Sequence, residues 1–195
     1  MSENGATTND FLGDLSVLNL RTEYRSIKES PAISFYRPCL QHSKQYKRAA
    51  GYFRSTVFIV TGWSIIEFAR RGGKICLICS PELDPSDNDS IALGYARRSD
   101  GIAQRLVEQI DHLLSEPATR QHARILATLV AVNALEIKLA FRSDRKGLYH
   151  EKLGIFADGL GNRVSFKGSA NETWSGWDPS GNFESIEVFC NWRGG

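Results

Sequence analysis

Apolar and polar residues divide this chain into short segments whose spacing identifies the elements. Lys74 to Cys79 is apolar almost throughout, as a strand flanked and covered on both sides requires. Before it, Ser55 to about Arg71 carries apolar residues at helical spacing, with Ser55 placed as the N-cap and Gly72-Gly73 as the stop. Arg48 to Phe53 reads as a strand leading into that helix, Ser34 to Ser43 as a helix, and Ser16 to Lys28 as a short strand or a short helix. Downstream, helices are expected over Asp87 to Arg97, Ile102 to Leu114 and Ala118 to Asn133. The second has Ile102, Leu106, Ile110, Leu113 and Leu114 as its apolar stripe, and Pro117 introduces the third. Strands follow at Leu135 to Arg142, Leu148 to Asp158, Arg163 to Lys167 and Phe183 to Trp192. Asp158-Gly159 and Gly161-Asn162 mark a hairpin turn. Helices interleaved with strands, then a strand-rich end, predict an α/β fold: an α/β/α sandwich around a central mixed sheet.

Domain organisation follows from length. The polar residues 1–13 form an expected disordered or loosely attached tail. Residues 14–195 suffice for one well-packed domain and are too few for two. The closing stretch Trp192-Arg193-Gly194-Gly195 suggests the N-terminal domain of a longer protein.

The C-terminal third concentrates the chemistry. His150 and Lys152 stand two apart in YHEKLGIFADG, which places both on one face if they share a strand. A polar loop, GSANETWSGW, supplies Ser169 and Asn171, and Glu184 opens the next strand. Together these groups suit phosphodiester cleavage. A phosphodiester repels nucleophiles, and its transition state adds charge to the equatorial oxygens, which Lys152 and Asn171 are able to bind. A neutral His150 is able to attack phosphorus if its other ring nitrogen is held by an acceptor, for which Glu184 is the candidate. Ser169 supports the loop or the phosphate. No residue of the set requires a metal, and no cofactor is expected.

H-x-K, then G-S-x-N sixteen residues on, then a Glu, resembles the half-site of the phospholipase D superfamily (the HKD motif), over roughly Tyr149 to Phe189. The family's Asp falls five residues after the Lys, where this chain has Ala157; Asp158 is one place later, at a position that is mostly structural in the family. The resemblance implies the same α/β/α architecture and a site built from two motifs about a twofold axis, one His attacking and the other protonating the leaving oxygen. One complete motif is present here: His42-x-Lys44 matches its first letters, but no G-S-x-N follows. The implied assembly is therefore a homodimer with two copies of His150 facing each other. It further implies a nuclease acting on DNA or another nucleic acid, in restriction or phage defence, with a fused or associated helicase module. The alternatives are a phospholipid phosphodiesterase or phosphatidyl transferase, and a non-catalytic nucleic-acid-binding module.

Charge adds little in total, at +2, but more in its placement. Lys138, Arg142, Arg145, Lys146 and Lys152 gather near His150, and Lys44, Lys47, Arg48 and Arg54 form a second basic group. Each is either a solvated face or a rim that guides a polyanion, with Arg54 and Lys146 as the expected substrate contacts. Cys76 and Cys79 form a C-x-x-C inside an apolar strand, which reads as buried thiols rather than a zinc or redox site. With no apolar run at the N-terminus and no membrane-length segment, a reducing cytoplasm is the expected setting and no membrane partner is expected.

Overall fold

The structure, a computed structural model, describes residues 11–98, 118–141 and 149–193. Seven strands form one sheet: β1 (Glu23–Arg25), β2 (Gln45–Ala50), β3 (Lys74–Cys79), β4 (Leu135–Leu139), β5 (Lys152–Ala157), β6 (Arg163–Gly168) and β7 (Ser185–Cys190). Their order is β1-β7-β6-β5-β2-β3-β4. β2, β3 and β4 are parallel, while β5, β6, β7 and β1 run antiparallel to their neighbours. The central mixed sheet of an α/β domain is thus as expected.

The helices are α1 (Arg37–Gln41), α2 (Val57–Arg70), α3 (Pro85–Arg97), α4 (Ala118–Ala131) and a single turn, α5 (Trp174–Trp177). A 3₁₀ turn covers Leu15–Val17, and α1 is preceded by a π-helical stretch, Ala32–Tyr36. The expected Ser34–Ser43 helix therefore begins two residues early. Its π stretch ends just before Pro38, which lacks the N–H that an α-helical bond needs. Gly72 ends α2 in the left-handed region (φ 79°), as its position suggested. Ser55 does not cap α2, which starts two residues later. Its hydroxyl is 2.7 Å from His122 Nδ1, and its N–H donates to buried Asp87. The expected helix Ile102 to Leu114 lies outside the described residues.

Register explains the core. Tyr46 pairs with Ile75 on one side and Phe156 on the other, and Arg48 pairs with Leu77 and Gly154. These inward residues meet Phe35 and Tyr36, whose rings pack edge-on against Phe156, Phe166 and Tyr46. Helices α1 and α2 pack on this face, and α4 packs on α2. On the opposite face Lys47, Leu153 and Phe189 are exposed. Strand residues three apart point to opposite faces, so Cys79 is buried while Cys76 is half-exposed; all four cysteines are free. Burial pushes the Cys79 thiol up to about 11. Of the presumed tail, residues 11–13 are held: Gly159 donates to the Leu12 carbonyl, and Phe11 lies under the Arg71 guanidinium.

Candidate active site

At one end of the sheet the chain passes the same edge four times. It leaves β2 at Gly51, enters β5 from His150, leaves β6 at Ser169 and enters β7 from Glu184. This convergence makes an open depression of about 850 Å³. His150, Lys152, Ser169, Asn171 and Glu184 line it together, with Leu153, Lys167, Asn182 and Phe183 among its other walls.

His150 is exposed and precedes β5 rather than lying on it, a correction to the expected Leu148–Asp158 strand. It reaches Lys152 all the same: Lys152 Nζ lies 3.0 Å from Nε2, 3.2 Å from Nδ1 and 3.3 Å from the His150 carbonyl oxygen. Gly51 makes room behind it. A Cβ at Gly51 would come within 3.1 Å of His150 Cδ2 and 3.4 Å of Asn171 Oδ1. The Tyr52 ring and the imidazole lie nearly perpendicular, with centroids 6.5 Å apart. Burial lowers the Lys152 ammonium's pKa, opposed by the Glu184 charge and reinforced by Arg48.

Asn171 is oriented by the backbone. Its Oδ1 accepts from Tyr52 N–H at 3.1 Å, which leaves its Nδ2 donors to the depression. Ser169 Oγ donates to Glu184 Oε2 and accepts from Ser185 N–H at 3.2 Å. Glu184 Oε1 accepts from Asn182 Nδ2 at 3.2 Å. Within one chain, then, Glu184 braces Ser169 rather than the imidazole. The reason is distance: β7 is separated from β5 by β6, and two strand spacings are roughly 10 Å. Glu184 is itself clamped by buried Ser26, which accepts from its N–H at 2.8 Å and donates to its carbonyl at 3.0 Å.

Other expected members lie elsewhere. Arg54 is not among the residues lining the depression; it pairs with Asp84 at 2.7 Å on the surface. Hydrogen bonds from Ser86, then the Arg54 pair, hold the Asp84 carboxyl below its ordinary range despite some desolvation. Lys146, Arg142 and Arg145 lie outside the described residues. Asp158 sits at the far end of β5, roughly 20 Å along the strand from the site. Arg48 is not part of a basic rim. It is buried, with Nε 2.8 Å from Glu172 Oε2.

That Arg48–Glu172 pair is a buried feature the sequence pattern did not reveal. Glu172 also accepts from Tyr36 at 2.8 Å, from Tyr46 at 3.4 Å and from Trp177 Nε1 at 3.2 Å. Burial, then the Glu172 charge, pushes the Tyr36 and Tyr46 phenols well up, so both stay protonated donors. The available signal was a charged residue, Arg48, two positions after Tyr46 and so on the same inward face of β2. Among the described residues no group of three His, Cys, Asp or Glu side chains is arranged to hold a metal ion, and no helix is long and apolar enough to cross a membrane.

No protein-family model matches the chain, and a search of curated proteins finds no match. Among solved structures it is similar to NucT from Helicobacter pylori, with a TM-score of 0.46 and 16% identity over 85% of this chain and 83% of that one. It is also similar to a mutant of the yeast tyrosyl-DNA phosphodiesterase 1, with a TM-score of 0.42 and 11% identity over 75% of this chain and 25% of that one. Both are distant likenesses of backbone.

Proposed function

We propose that this chain is a metal-independent phosphodiesterase that cuts DNA through His150, as a homodimer. One observation carries the reading. Five residues from separate stretches of sequence, suited to binding and attacking a phosphodiester, line one open depression in which Lys152 contacts an exposed imidazole. In this mechanism a ring nitrogen of His150 attacks phosphorus and forms an N–P bond as the P–O bond to the leaving oxygen breaks. The imidazolium of a second copy's His150 gives that oxygen its proton. The second imidazole then takes a proton from water, the water oxygen displaces the first His150, and the phosphate is released. Lys152 and Asn171 of both copies hold the non-bridging oxygens, and Ser169 with Glu184 keeps the loop in place.

A second copy is proposed because the sequence carries one complete motif and, among the described residues, no second histidine lines the depression to serve as the acid. Phe183, 83% exposed, and Leu153, 40% exposed, line the same depression and favour burial by a symmetry mate. Arg54 and Lys146 are proposed to touch the nucleic-acid backbone. A setting in restriction or phage defence, with a fused or associated helicase module, belongs to the same proposal and rests on the motif's resemblance, while a cytoplasmic setting rests on the four free cysteines.

The test is a nuclease assay in EDTA at known oligomeric state, with wild type and His150→Ala side by side and a phospholipid substrate in parallel. Wild type should cut DNA, and His150→Ala should bind DNA but not cut it. Strict dependence on Mg²⁺, or preferential lipid cleavage, overturns the reading. A wild-type dimer that binds DNA and never cuts it marks a binding module instead.

A further inference from the structure

Residues 169 to 172 alternate. Ser169 and Asn171 line the depression, whereas Ala170 and Glu172 are buried. Successive side chains of an extended segment point opposite ways, so a slip of one residue would turn Ser169 and Asn171 inward and Ala170 and Glu172 outward. The backbone here makes few bonds that would prevent such a slip. Ser169 N–H donates to the Ser185 carbonyl at 3.1 Å, Glu172 N–H donates to the Tyr52 carbonyl at 3.2 Å, Arg54 N–H donates to the Glu172 carbonyl at 3.0 Å, and Phe53 and Glu172 form an isolated bridge. None of these contacts distinguishes one side chain from another.

Side chains do: Ser169 Oγ with Glu184 and Asn171 Oδ1 with Tyr52 N–H on the open face, and the buried charge from beneath. Glu172 finds Arg48 Nε, two phenols and an indole N–H in one place, and Arg48 Nη2 also donates to the Ala170 carbonyl at 2.5 Å. The guanidinium lies 5.1 Å from the Phe166 ring centroid and 5.9 Å from that of Trp177, in a site already filled by aromatic rings. A carboxylate removed from this nest, or Arg48 left without it, would strand an uncompensated charge in the core. We infer that the Arg48–Glu172 pair is a register pin for the active-site loop: Glu172 is a positioning residue that holds Asn171 and Ser169 facing the substrate from beneath. The inference rests on the proposed function for its catalytic consequence, but its structural content does not.

Backbone amide exchange reads the pin without any assay of activity. Tyr52 N–H, which donates to Asn171 Oδ1, reports the loop, and Leu77 N–H at the centre of β3 reports the whole fold. In Glu172→Gln the stranded Arg48 charge weakens the whole fold, so Leu77 also exchanges faster, and Tyr52 should accelerate by about tenfold more than Leu77 does, as expected of an added local opening. Turnover on DNA should fall with KM held. If Glu172→Gln does not fold, Tyr36→Phe, which keeps both charges and removes one donor, should show a smaller acceleration at Tyr52 alone. Equal acceleration of Tyr52 and Leu77 would reduce the pair to a general stabiliser and overturn the inference. Unaltered exchange at Tyr52 would do the same. Absence of DNA cleavage in the wild type would defeat the functional reading and leave the exchange result to decide the pin.

Discussion

At the scale of single residues, the site depends on which atoms are already occupied. Asn171 spends its carbonyl oxygen on Tyr52 N–H, so its amide donors have the depression as their outlet. If those donors meet charge that develops in the transition state, Asn171→Ala should lower kcat by roughly 100-fold with little change in KM, as for the loss of one donor to a developing oxyanion. Steady-state kinetics on a short DNA substrate checks this; an equal rise in KM with kcat intact would place Asn171 in ground-state binding. Glu184 makes the same point in reverse. A free carboxylate near a histidine invites assignment as its partner, yet here it is held by Ser169 and Asn182.

At the scale of elements, the β5–β6 hairpin is tied by one carboxylate. Asp158 Oδ1 accepts from the N–H groups of Leu160 at 2.8 Å and Asn162 at 2.9 Å. Its Oδ2 accepts from Leu15 N–H at 2.9 Å and Asn162 Nδ2 at 2.8 Å. Partial burial pushes this carboxyl's pKa up, and the bonds from Leu15, Asn162 and Leu160 outweigh that and hold it below the ordinary value. A folded-state pKa below the unfolded one contributes stability that is complete above the unfolded pKa and disappears as pH falls through the folded one. Asp158→Asn should therefore cost roughly 1.5–3 kcal/mol at neutral pH, the range for hydrogen bonds to a charged group. The gap from wild type should narrow as pH drops below 4. Urea unfolding of both proteins at pH 7 and pH 3 measures it; a gap that does not change with pH would mean that the charge has no part in it. Asp158 is thus a turn residue in this fold, at the opposite end of β5 from the candidate site.

At the scale of the whole molecule, the question is whether one chain is enough. The depression opens beside Phe183 and Leu153, large apolar groups left in water. Phe183→Asp should convert a dimer to monomers in sedimentation equilibrium and remove cleavage with it, while far-UV circular dichroism stays unchanged. For the wild type, specific activity should rise with protein concentration through the dimer's dissociation range. A fully active monomer would require the missing acid to come from the same chain.

Much of this is readable in the sequence alone. β3 occupies Lys74–Cys79 in sequence and structure alike, since an apolar run between a glycine stop and a proline leaves one way to fold. The Gly72 stop and the hairpin at Asp158 were equally local, since backbone chemistry over a few residues decides them. The site residues were recognisable as a set because their types and spacing carry chemical meaning wherever the strands run. Long-range pairing accounts for the rest. That β6 intervenes between β5 and β7, so that Glu184 braces Ser169 rather than His150, depends on strand order, which no local spacing encodes. That Arg48 is a core residue depends on Glu172, 124 positions away, arriving beneath the same sheet. A buried charge is tolerable only beside its counter-charge, and folding alone brings the two together.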